Sequence, residues 1–198
     1  MKPRNFFSRR FALLGMFFQT IALTAFAQTV DSDVAWKTLK QPSSIVLFRH
    51  AIAPGGGDPE GMKLGDCNTQ RNLDAQGREQ ARKLGQRFKT QGIKVDSVIS
   101  SQWCRTRETA QLAFPDLVTA DAPAFNSFFA NRDTEPAQTA AARKQLLAWR
   151  GTGALVVVTH QVNITALTGI TPASGEGVVL RKQGTQLVLL GRLAPSTP

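Results

Sequence analysis

Ser44-Ile45-Val46-Leu47-Phe48-Arg49-His50 is a compact apolar run, rich in residues that favour strands, that stops abruptly on a charged pair. A short apolar run of this kind reads as a buried strand, and here it delivers Arg49 and His50 at its carboxyl end. Leu155-Val156-Val157-Val158-Thr159 is the most apolar strand of the chain and ends on His160. A third run, Val95-Asp96-Ser97-Val98-Ile99-Ser100, leads into Ser101. Segments of helical spacing lie between these runs. Residues 74–90 place Ala81, Leu84, Gly85 and Phe88 at helical intervals, with Asp74 as N-cap and Gly92 just beyond the end. Further helices are predicted over 103–114, stopped by Pro115, over 136–150, and over 162–168, closed by Gly169. Strands alternating with helices predict an α/β fold, a three-layer α/β/α sandwich whose central sheet is mostly parallel. In such sheets the ligand site lies outside the carboxyl ends of the strands. Those ends are Arg49-His50, Ser100-Ser101 and His160.

The flanking segments complete the pattern. Residues 31–41 predict a brief helix that packs through Val34, Trp36 and Leu39. Residues 51–69, with Pro54, Gly55-Gly56-Gly57 and Pro59, form a loop too long for a mere connection, and loops of that length are commonly functional. An extended piece over 117–124 leads into segment 125–135, and two strand-like runs, 178–181 and 187–193, finish the chain. There is no internal repeat and no low-complexity tract.

The first 27 residues stand apart. Lys2, Arg4, Arg9 and Arg10 precede an uncharged apolar run, 11–26, and then Ala25-Phe26-Ala27, the layout of a secretory signal peptide. The apolar run is short for a spanning helix and contains Gly15, Gln19, Thr20 and Thr24. The expectation is a signal peptide at 1–27, one domain at 28–198, no membrane span after cleavage, and a periplasmic or secreted protein. Loss of those four bases, with no acid among them, lowers the net charge from +10 to +6. A basic domain suits an anionic ligand. The bases are scattered, without a Lys/Arg block or an aromatic-basic motif, so nucleic acid is not expected as a partner. Two cysteines, Cys67 and Cys104, in an exported chain favour one disulfide. Two Cys and two His without short paired spacings do not read as a zinc ligand set, and no metal is expected.

Both histidines, His50 and His160, follow directly on an apolar strand, at the edge where an open α/β sheet places its site. Arg49 and Arg105 add guanidinium groups to the same edge. Guanidinium groups bind phosphate oxygens in pairs, and a helix N-terminus nearby adds backbone donors. The outline is a phosphate pocket.

These residues resemble a known family. Leu47-Phe48-Arg49-His50-Ala51 resembles the Arg-His-Gly motif of the histidine phosphatase superfamily, with Ala51 where Gly is usual. Ser100-Ser101-Gln102-Trp103-Cys104-Arg105-Thr106-Arg107-Glu108-Thr109-Ala110 is similar to its second block, in which a Ser-Ser turn precedes the pocket arginine and a Thr-Ala pair. Asn72-Leu73-Asp74-Ala75-Gln76-Gly77-Arg78-Glu79-Gln80-Ala81 is similar to the helix entry between those blocks, and Val158-Thr159-His160 to the strand bearing the second histidine. Gln161 departs from the His-Asp pair of the acid-phosphatase branch, which places the chain nearer the mutase-like branch. The resemblance implies a phosphoglycerate mutase-like fold and a two-step transfer without metal or organic cofactor: His50 attacks phosphorus, and water hydrolyses the phosphohistidine. It further implies that Arg49, Arg105 and His160 hold the non-bridging oxygens, His50 acting neutral and His160 protonated.

A general acid is the open point. Many members supply a Glu or Asp after the third strand, where this chain reads Phe125-Asn126-Ser127-Phe128-Phe129. Asp133 and Glu135 are the nearest carboxylates, Glu176 is a further candidate, and some members have no such acid. Gln102 and Asn72 are set aside as substrate contacts. The expected function is an exported phosphomonoesterase acting on a phosphorylated small molecule, such as a sugar phosphate, or on a phosphorylated cell-envelope component. The competing expectation is a non-catalytic protein that binds phosphate or other anionic ligands in a retained pocket.

Overall fold

The computed structural model describes Met1 and residues 32–198. The predicted signal peptide, 1–27, lies outside the described residues apart from Met1. No described helix is long and apolar enough to cross a membrane.

The chain runs through α1 (Ser32–Leu39), β1 (Ser44–Arg49), α2 (Ala75–Thr90), β2 (Val95–Ser100), α3 (Cys104–Ala113), β3 (Thr119–Asp121), α4 (Glu135–Ala148), β4 (Ala154–Thr159), α5 (Gln161–Thr168), β5 (Gly177–Gln183) and β6 (Gln186–Leu193). The six strands form one sheet in the order β3-β2-β4-β1-β5-β6. β1, β2, β3 and β4 are mutually parallel, whereas β5 runs antiparallel to both β1 and β6. The predicted mostly parallel sheet is present, and the two C-terminal strands are an antiparallel hairpin on one side of it.

Side chains alternate across a strand with period two, and that alternation builds both layers. Val46 and Phe48 of β1, Val98 of β2, Val156 and Val158 of β4 and Val179 of β5 pack with α1, α2 and α3. Their neighbours Ile45, Leu47, Ile99, Leu155, Val157, Val178 and Leu180 pack with α4 and α5. β1 and β4 are thus buried on both faces, which is why they read as continuous apolar runs. Each such side chain contributes about 1.5–3 kcal/mol of burial.

Local chemistry sets the helix ends that matter for the site. Asp74 caps α2, accepting from the Gly77 amide at 2.7 Å, and Gly92 takes φ 64° just past its end. Gly85 allows α2 to approach α3 closely, for a Cβ there would lie 2.0 Å from the Ala113 carbonyl oxygen. Gly85→Ala is expected to destabilise the fold by about 1–3 kcal/mol through overpacking, read as a lower midpoint in urea unfolding with an unchanged slope.

Candidate active site

Register brings the two histidines together. β1 and β4 are adjacent and parallel, with Arg49 opposite Thr159, so the next residue of each strand, His50 and His160, stands beside the other at the carboxyl edge. Their ring centroids are 5.7 Å apart. β2 pairs Ser100 with Val158, which sets Ser101 beside them.

The turn after β1 is held by both neighbouring helices. The Ala51 amide donates to Thr109 Oγ1 at 3.1 Å, and the Ile52 amide to Gln80 Oε1 at 3.0 Å. Ala51, where the family motif has glycine, places its methyl in a small apolar cluster with Ala53, Leu73 and Ala81, so this departure is accommodated by packing. His50 is buried, and its Nδ1 lies 2.8 Å from the Ala51 carbonyl oxygen. A carbonyl can only accept, so Nδ1 carries the proton and Nε2 keeps its lone pair. His160 Nε2 lies 2.8 Å from Ser101 Oγ, whose own proton is donated to Asn126 Oδ1 at 3.3 Å. His160 therefore donates from Nε2 and presents Nδ1 toward Arg105 Nη2, at 3.5 Å.

A cavity of about 220 Å³ opens on this edge, lined among others by Arg49, His50, Asp58, Arg71, Arg105 and His160. Arg105 sits in the first turn of α3 with a buried side chain, and Cys104 just before it forms a disulfide with Cys67 at the far end of the 51–69 loop. That bridge closes a loop long enough to stabilise the fold by about 3–4 kcal/mol. Arg71 donates to the carbonyls of Gly57 and Ala53, and Arg49 to that of Pro172. The Nε atoms of Arg49 and Arg105 are buried without a partner, leaving charged donors unsatisfied in the site. The first turn of α5, with no side-chain cap, also lines the cavity at Gln161 and Val162, so a helix N-terminus faces it. A larger surface groove of about 490 Å³, lined by Lys83, Arg87 and Ser196 among others, contains neither histidine.

Burial first, and then the charge of these arginines, disfavours the protonated form of both imidazoles. Burial, reinforced by the charges of Arg105, Arg49 and Arg71, pushes His50 down to about 3, against the opposing pull of the Ala51 carbonyl. Burial, then His50 and the same arginines, holds His160 well below the usual histidine range. These influences favour the neutral form of both rings, against the protonated His160 that the resemblance implies. Imidazole NMR is expected to show the His50 ring titrating near 3 and the His160 ring displaced in the same direction, below the ordinary histidine range. A midpoint near the ordinary value for either ring would contradict this. The unfolded chain takes up these protons near pH 6.5 and the folded chain, at His50, only near 3. Stability is therefore lost as pH falls between those values.

The four predicted residues Arg49, His50, Arg105 and His160 all line the one cavity. The predicted acids do not. Glu176 is buried, accepts from the Ala173 amide at 2.8 Å and pairs with Arg192, which makes it a brace for the start of β5. Asp133 is exposed in a short 3-10 turn, and Glu135 opens α4 and pairs with Arg132 at 3.5 Å. Gln102 bonds to Asn126 and Asn72 to the Cys67 carbonyl, so both support the walls. The charged cavity residues that the sequence reading did not single out are Asp58, Arg71 and Arg132. Arg71 follows the loop, and Asp58 stands on it directly after Gly55-Gly56-Gly57, but Glu60, Lys63 and Asp66 lie on the same loop, so no local signal singles it out. Among the described residues no group of three or more His, Cys, Asp or Glu side chains is gathered as a metal site.

Residues 45–120 match the histidine phosphatase superfamily (branch 1). A stretch of 87 residues is 34% identical to the mitochondrial serine/threonine-protein phosphatase Pgam5 of Drosophila willistoni, covering 44% of this chain and 27% of that protein. The match spans about a quarter of the length of that curated relative. Among solved structures, a mycobacterial glucosyl-3-phosphoglycerate phosphatase superposes with TM-score 0.57 at 15% identity, covering 76% of this chain and 98% of that one. A protein described as mycobacterial hydrolase 2 does so with TM-score 0.59 at 15% identity, covering 80% and 93%. At such identities the structural likeness speaks for the fold.

Proposed function

We propose that this chain, whose residues 45–120 match the histidine phosphatase superfamily (branch 1), is an exported phosphatase of that superfamily, hydrolysing phosphomonoesters through a phosphohistidine on His50. One observation carries the reading: a neutral His50, its Nδ1 proton tied to the Ala51 carbonyl, lines a cavity shared with Arg49, Arg71, Arg105 and His160.

In the first step the Nε2 lone pair attacks phosphorus and the ester P–O bond breaks, its electron pair leaving with the alcohol oxygen. In the second, water attacks phosphorus and the P–N bond breaks, its pair returning to Nε2. Dividing the transfer in this way lowers each barrier. The arginines supply fixed donors where charge accumulates on the equatorial oxygens. A bound dianion also favours the charged form of His160.

The substrate we infer is small, a sugar phosphate or a phosphorylated envelope component, because the cavity of about 220 Å³ accommodates a phosphoryl group and a modest leaving group. The basic-apolar N-terminal pattern and the Cys67–Cys104 disulfide support export to an oxidising compartment. The features that motivate a non-catalytic binder have other accounts: the Ala51 methyl packs in a cluster, and the cavity contains a carboxylate, Asp58. Phosphate release is expected from an aryl phosphate and from at least one sugar phosphate, with chelator present. Absence of release on every ester, with inorganic phosphate still bound, would favour the binder.

A further inference from the structure

We propose that Asp58, on the glycine-rich loop, is the proton donor and acceptor of this site, parked on Arg105 until a phosphoryl group displaces it. The inference rests on the phosphatase reading above. Among the described residues that line the cavity, Asp58 is the one carboxylate. Its two oxygens accept from Nη1 and Nη2 of Arg105, the second at 3.1 Å, and Oδ2 also accepts from Trp103 Nε1 at 3.0 Å. A carboxylate on a guanidinium fork has the geometry a phosphoryl group would adopt there, so the two compete for one seat.

The loop is built to let the carboxylate leave. Gly55, Gly57 and Gly61 take φ of 90°, 68° and 77° around it, and a Cβ on Gly56 or Gly61 would meet nothing within 4 Å. The far end of the loop is fixed by the Cys67–Cys104 bridge, which keeps Asp58 beside the cavity after it moves. The groups facing Asp58 are Arg105, Arg71 and the Trp103 indole, with Arg49, His50 and His160 across the cavity. Burial favours its neutral form, and the bonds from Arg105 and Trp103 with the charge of Arg71 outweigh that, holding it below the ordinary carboxylate value. Once phosphate oxygens take the Arg105 fork, the carboxylate loses its strongest counter-charge and gains an anionic neighbour. Both changes favour proton uptake.

The steps then balance. As the His50 Nε2–P bond forms and the P–O bond breaks, the Asp58 carboxyl proton passes to the leaving oxygen and yields the alcohol. As water attacks the phosphohistidine, the Asp58 carboxylate takes its proton, and P–N cleavage restores His50. A positioned acid is worth about 10²–10⁴-fold, and most where the leaving group is poor.

The test is kcat/KM of the full chain and of Asp58→Asn on an alkyl phosphate and on a nitrophenyl phosphate, with inorganic phosphate affinity measured beside them. The expected result is a loss of about 10²–10³-fold on the alkyl ester, shrinking below about tenfold on the aryl ester. Phosphate is expected to bind at least as tightly as in the parent, because an internal competitor is gone. Asp58→Glu is expected to recover part of the alkyl-ester rate. Equal losses on both esters, no loss on the alkyl ester, or weaker phosphate binding would each overturn the assignment while the phosphatase reading stands. A parent protein inactive on both esters would remove that reading, and this inference with it.

Discussion

His50→Ala is expected to lower turnover of an aryl phosphate by about 10⁵-fold or more, the scale seen when a covalent nucleophile is deleted. Among the described residues that line the cavity, the other groups are engaged elsewhere, Asp58 on Arg105 among them. His160 holds its Nε2 on Ser101 and faces Arg105 with Nδ1, and Ser127, at the cavity wall, has no general base bonded to it. The ring is also set in advance for attack, since the Ala51 carbonyl fixes which nitrogen is bare. Binding should respond differently. The arginines donate their hydrogen bonds to the carbonyls of Pro172, Gly57, Ala53 and Arg71 and to the Asp58 carboxylate, none of them on His50. The variant is therefore expected to bind inorganic phosphate within about tenfold of the parent, measured by calorimetry, while steady-state turnover disappears. A fall in both would point to a collapsed pocket.

Arg105→Ala carries the second largest effect, an expected loss of about 10³-fold in kcat, near the upper end for a lost donor to developing charge. Its side chain is 3% exposed, so its charge acts with little screening by water. Arg105→Lys is expected to recover less than about tenfold, since a single ammonium cannot reproduce the planar fork. The same substitution has a signature that a merely structural residue would lack. After burial, Arg105 is the largest influence holding His50 down at about 3. Removing a positive neighbour favours the protonated ring, so the acid limb of kcat/KM moves up toward neutral pH in Arg105→Ala. A pH profile with an unmoved acid limb would show that Arg105 does not set the state of His50.

How much of this was legible in the sequence follows from where the physical constraints are local. β1 and β4 announced themselves because strands buried on both faces read as near-continuous apolar runs, and the residues directly after them are the two histidines. α2 was readable to its ends because Asp74 and Gly92 do cap chemistry. Other boundaries were set by tertiary pairing. Residues 117–124 keep only β3, since just Thr119, Ala120 and Asp121 find ladder partners on β2. The direction of β5 and β6 carried a signal that went unread: Gly184-Thr185 is a two-residue connection with Gly184 at φ 58°, the mark of a hairpin. Asp58 and Arg71 were invisible for a deeper reason. The 51–69 loop has no period, so nothing local says which of its charges turns inward. Only its closure by the Cys67–Cys104 bridge and its bonds to Arg105 and Arg71 decide that. Glu176 misled in the opposite way: a carboxylate before a strand has the same local sequence whether it enters a site or braces Arg192.

The most direct test of the account is to mix the protein with an aryl phosphate, quench within milliseconds in alkali, where phosphohistidine survives, and locate the phosphoryl group by peptide mass spectrometry. The account predicts one phosphoryl group per chain, on the peptide bearing His50, absent from His50→Ala and discharged by water on a longer delay. Turnover with no label on His50 at any quench time, or a label on another residue, would contradict it.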